Sequence, residues 1–185
     1  MEITDEYVAY LRESGNWMIR MDDDGVGHNG FTWRPIGQWT EASDWSIEPI
    51  CQGGLFGQSP AGSGYCKQGT TIAFCETEGA QVCVDGKKVK VKRARRVAEN
   101  DAALVLLCRV LENKELFRFS LDVCGYQHPL PAGLTSVGGY LDVEDYQHPL
   151  PAGLTSVGGY LDVRGYQHPL PAGLTRSKTS RSVRV

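Results

Sequence analysis

Eighteen residues, YQHPLPAGLTSVGGYLDV, occur at 126–143 and again at 146–163, and their first ten residues begin a third copy at Tyr166. The offset is twenty residues each time. A unit this short cannot bury its apolar edge alone, so fixed-period self-similarity predicts that each copy covers the next. Aligned, the copies predict one short Leu-x-Val strand each, at 121–123, 141–143 and 161–163. Leu130, Leu150 and Leu170 make a second apolar ladder, and Leu134, Leu154 and Leu174 a third. Pro-Leu-Pro favours extended backbone, and the following Ala-Gly turns the chain.

The repeat resembles the short, roughly twenty-residue bacterial leucine-rich repeat, with a plain parallel β-solenoid as the alternative. Strand alternation puts Leu121 and Val123 inside and Asp122 outside. The displayed columns are then Ser120/Tyr140/Tyr160, Asp122/Asp142/Asp162 and Cys124/Glu144/Arg164. Like charges stacked along a sheet repel one another. With tyrosine enriched in interface cores, Tyr140, Tyr160, Asp122, Asp142, Asp162, Glu144 and Arg164 form the candidate partner-binding face. His128, His148 and His168 form a further ladder. It offers imidazole alone, so it is read as stacked, solvated or backbone-bonded, and neither metal nor cofactor is expected.

Upstream, Thr4 is a candidate cap for a helix ended by Gly15. Trp17 to Met21 and Thr70 to Cys75 read as strands. Residues 81–84 and 88–92 flank Asp85-Gly86 as a hairpin. Asn100 is placed to cap a helix over 101–113. The expected architecture is an α+β domain over residues 1–113. It caps a parallel-β, leucine-rich-repeat-like solenoid of three repeats with a basic tail, over residues 114–185.

Net charge is −3, unevenly spread: 1–86 hold thirteen acids and four bases, whereas 87–97 hold seven bases and no acid. An acidic body steers toward a basic partner. The strip Lys88, Lys90, Lys92, Arg93, Arg95 and Arg96 is the alternative, a nucleic-acid-binding strand. No aromatic residue interleaves it to stack on bases. The six cysteines lack CxxC spacing, which speaks against structural zinc. Cys75 and Cys83 fall on neighbouring strands and are candidates to approach one another. No apolar run reaches membrane-span length, and the acidic start lacks a signal-peptide pattern, so a cytoplasmic location without membrane contact is expected.

Catalytic chemistry has little to stand on. Gly53–Gly57 is glycine-rich but lacks the Gly-Lys-Ser/Thr of a phosphate loop. His28 is the one histidine outside the repeats and the candidate general base. A small enzyme of nucleotide chemistry near His28 and Gly53–Gly57 is the third reading. The strings Gly30-Phe31-Thr32-Trp33, Asp44-Trp45, Cys51-Gln52-Gly53-Gly54-Leu55-Phe56-Gly57 and Gly86-Lys87-Lys88-Val89-Lys90 resemble an uncharacterised domain of bacterial and phage proteins. That domain has histidine where this chain has Phe56. The resemblance implies bacterial or phage origin and short downstream repeats, without a mechanism. Small acidic phage proteins often inhibit host machinery. The leading expectation is therefore a non-enzymatic protein-binding module, in its sharpest form an acidic inhibitor of a nucleic-acid-handling host complex such as a CRISPR-type defence.

Overall fold

The computed structural model describes residues 2–27, 30–58, 65–66, 69–86, 88–111, 120–176 and 183–184. Along them run α1 (Asp5–Ser14), β1 (Trp17–Asp22), β2 (Trp39–Glu41), β3 (Leu55–Gly57), β4 (Tyr65–Cys66), β5 (Thr71–Glu78), β6 (Val82–Val84), β7 (Lys88–Val91), β8 (Arg93–Glu99) and α2 (Asn100–Val110). The repeats follow with β9 (Ser120–Asp122), β10 (Ser136–Val137), β11 (Leu141–Asp142), β12 (Ser156–Val157), β13 (Leu161–Asp162), β14 (Thr175–Arg176) and β15 (Val183–Arg184).

Local signals explain the boundaries. The Thr4 hydroxyl accepts from Tyr7 N at 3.2 Å and opens α1, and Gly15 closes it in the left-handed region. Asp85 and Gly86 both take positive φ, which matches the twist of the β6–β7 hairpin. Asn100 does not cap α2. Glu99 holds the N-cap position without a side-chain capping bond, and Asn100, at φ 51°, accepts from Ile72 N instead.

The expected α+β domain capping a solenoid is overturned. Most strand residues lie in two antiparallel sheets, ordered β1-β5-β8-β2 and β3-β7-β6, with only two short helices among the described residues. The copies pair in parallel at equal positions, Leu121 with Leu141 with Leu161 and Asp122 with Asp142 with Asp162. Their strands are only two or three residues long. The cause is Asp122 itself: its Oδ1 takes Cys124 N at 3.0 Å and bends the chain out of the strand, as Asp142 does with Glu144 N.

One hydrophobic core runs from Val8 and Leu11 of α1 through Leu104 and Leu107 of α2 to Leu161 of the last full copy. A second, around Met18, Cys75, Val89 and Val91, fills the space between the two antiparallel sheets. The copies touch through glycine: a Cβ at Gly158 would lie 2.2 Å from the Gly138 carbonyl oxygen. Hydroxyls tie them as well. Tyr146 accepts from Leu130 N and donates to the His128 carbonyl, both at 2.8 Å, and Tyr166 accepts from Leu150 N at 2.7 Å.

Candidate functional site

The turn side of the repeats differs from the expected open column of carboxylates. Asp122 and Asp162 are buried and Asp142 is half-buried. Alternation fails here because a two-residue strand faces core on one side and its own turn on the other. Tyr140 and Tyr160 are half-buried, as is Glu144, while Asp145 and Arg164 are exposed. Stacked charge is compensated locally. Arg164 Nε lies 3.0 Å from both Asp162 oxygens, and its NH2 reaches Glu144 at 2.8 Å. The Tyr160 hydroxyl donates to Asp162 at 3.0 Å. The neighbouring column, Gly125/Asp145/Gly165, takes positive φ in all three copies, which restricts it to residues that tolerate that backbone.

Burial works to raise the Asp162 pKa, but hydrogen bonds from the Arg164 side chain and backbone and from Tyr160 outweigh it, so the carboxyl sits below its ordinary value. A depressed acid stabilises the fold fully above its unfolded value, about 3.9, and loses that contribution as pH falls through the folded value. Arg164→Ala should therefore move acid unfolding to higher pH, read as the midpoint of a fluorescence titration. An unmoved midpoint would show that Arg164 does not hold Asp162 ionised.

The histidine ladder is backbone-bonded: His148 Nε2 lies 2.9 Å from the Gln127 carbonyl and His168 Nε2 2.9 Å from that of Gln147. Each of the three histidines also packs at a tilt on the tyrosine of its own copy.

The basic strip is not laid out as expected, with Lys88, Lys90 and Lys92 displayed together. Lys90 is fully buried, its Nζ 2.8 Å from the Gln52 carbonyl and its charge near the Trp45 ring. The β3–β7 pairing explains this, since Phe56 sits opposite Lys90 and the Gln52 loop closes over it. Lys92 pairs with Glu41 at 3.0 Å, Arg93 pairs with Glu78, Arg95 with Glu76 at 2.7 Å and Arg96 with Glu99 at 2.5 Å. Arg93 and Arg95 also lie over the Trp39 ring. The acids that neutralise the strip come from β2, β5 and the end of β8, a pairing that only the sheet order brings about.

A cavity of about 770 Å³ opens between β1, β3 and the turn of the first copy. Arg20, Asp22, Phe31, Phe56, Lys88 and Cys124 mark its walls. Arg20 donates to Asp22 at 2.9 Å and lies 4.4 Å from the Trp33 ring centre. Gly54 and Gly57 line the cavity too, so the glycine run singled out in the sequence does border a hollow. His28 lies outside the described residues. Burial, followed by the carboxylates of Asp122, Asp142, Glu144 and Asp145, pushes the Cys124 thiol above its ordinary pKa, the reverse of a reactive cysteine. Cys75 is buried in β5 and Cys83 exposed on β6, in different sheets, so they do not meet across neighbouring strands. Cys51, Cys75, Cys108 and Cys124 are free thiols.

Compared with family models, with curated proteins and with solved structures, the chain matches none. Among the described residues no helix is long and apolar enough to cross a membrane.

Proposed function

We propose that this chain is a non-enzymatic protein-binding module that meets a basic surface through the turn side of its repeats. One observation carries the reading. Asp142, Glu144 and Asp145 are gathered beside Tyr140 and Tyr160 on adjacent copies, and the single base among them, Arg164, is already committed to Glu144 and Asp162. Half-buried tyrosines beside acids that outnumber their one base suit an electrostatically steered contact. The host-inhibitor form follows the same logic, with the acidic face occupying a groove that would otherwise hold nucleic acid. The basic strip supports a nucleic-acid reading less well, because four of its six cations face carboxylates of the chain itself.

Immobilised full-length chain should capture basic proteins from bacterial lysate at low salt and release them as salt rises past the screening range. The doubly substituted Glu144→Lys, Asp145→Lys chain should capture at least tenfold less. Capture that is indifferent to both salt and these substitutions would overturn the reading. Retention of DNA by the wild type, lost on Lys92→Glu with Arg93→Glu, would put nucleic acid in its place.

A further inference from the structure

We propose that Cys51 and Lys88 form an oxidative cross-link, an oxygen-bridged S–O–N bond between the cysteine sulfur and the lysine amine. Lys88 Nζ lies 2.7 Å from Cys51 Sγ. Sulfur is larger than oxygen, yet this contact is shorter than the ordinary N–H···O bond of about 2.9 Å. Thirty-seven residues separate the two in sequence. They meet because β3 pairs antiparallel with β7, and because Lys90 Nζ holds the carbonyl of Gln52, next to Cys51, at 2.8 Å.

The surroundings fix the pair further. Lys88 Nζ sits 4.9 Å from the Phe56 ring centre, a cation–π contact that restrains the amine. Among the described residues no carboxylate is within ion-pair distance of Lys88. Gly53 closes the loop at φ 58°, where an added Cβ would strike the Asp44 carbonyl. Cys51 is exposed, so a small oxidant reaches it, whereas Cys75 is buried. Reactive thiols occur in accessible, electropositive surroundings of this kind.

Dioxygen serves as the oxidant. The Lys88 ammonium gives one proton to water; the S–H bond and one N–H bond of the resulting amine then break, and S–O and O–N bonds form around one oxygen atom. The second oxygen leaves as water with the two released hydrogens. Sulfur and nitrogen give up two electrons each, and dioxygen takes four. A thiol reductant reverses the link. The cross-link fastens the loop before β3 onto β7 and removes a positive charge from the rim of the cavity, which Lys88 and Phe56 both line. It does not depend on the repeats having a partner.

The test is mass spectrometry of the full chain before and after exposure to oxygenated buffer. The expected product gains one oxygen and loses two hydrogens, yields a single tryptic species joining the Cys51 and Lys88 peptides, and reverts with dithiothreitol. Cys51→Ser and Lys88→Arg should each abolish it, and Cys83→Ser should leave it in place. Sulfur oxidation with Lys88 still in its unlinked peptide would overturn the proposal, as would a Cys51 disulfide or an unchanged mass.

Discussion

Replacing Glu76 with alanine should lower folding stability by about 3 kcal/mol, since removing one partner of a buried ion pair strands the other. Glu76 is buried in the middle of β5, and its Oε2 accepts from Tyr7 at 2.5 Å and from Arg95 Nε at 2.8 Å. Three elements, α1, β5 and β8, are thereby joined at one oxygen. Burial, then the hydrogen bond to Glu76, pushes the Tyr7 hydroxyl above its ordinary pKa, so tyrosine remains the donor throughout the working pH range. Without the carboxylate, Arg95 loses its ion pair and keeps its stacking on Trp39 and its contact with Tyr7. Glu76→Gln should cost less, because the amide oxygen still accepts one bond. Removing Glu41, whose pair with Lys92 is half exposed on both sides, should leave stability unchanged. Denaturant midpoints for the three variants give the order directly. A Glu76→Ala chain as stable as the Glu41 variant would mean the junction contributes nothing.

Tyr146→Phe should cost about 2 kcal/mol, while the same change at Tyr126, in an identical stretch of sequence, should be neutral or slightly stabilising. Tyr146 satisfies two backbone groups of the preceding copy, and its loss leaves Leu130 N–H and the His128 carbonyl without that partner. Burial, set partly against the bond from Leu130, raises the Tyr146 hydroxyl to about 12. Tyr126 is the first of its column. No copy precedes it, and among the described residues its buried hydroxyl has no hydrogen-bond partner. An unsatisfied buried hydroxyl costs free energy that phenylalanine avoids. Equal losses at the two positions would show that burial alone, rather than the bridge between copies, sets the cost.

The periodic part of this fold was legible because it rests on local rules. Thr4, Gly15 and Asp85-Gly86 do what cap and turn chemistry requires, and the twenty-residue offset places Leu121, Leu141 and Leu161 side by side. What was lost depended on sheet order. Alternation sends Asp122 outward only if the strand continues, and the aspartate's own bond to Cys124 N ends it. Lys90 reads as one of three displayed lysines, but closure of the Gln52 loop buries it. The repeats are periodic and local in sequence, whereas the antiparallel sheets come from strands whose pairing partners are scattered through it, so sequence pattern alone points to the repeats. Glu76 stands after the apolar stretch Ile72 to Cys75, and a carboxylate there requires a buried cation or donor.

Because the Tyr146 and Tyr166 hydroxyls each close a bond in the copy before their own, the duplicated stretches are physically coupled. A substitution at 146 is felt at 128 and 130, in the copy before it. Divergence is channelled to the turn, where Cys124, Glu144 and Arg164 already differ. That is also the surface on which new recognition can be acquired without disturbing the ladder beneath it.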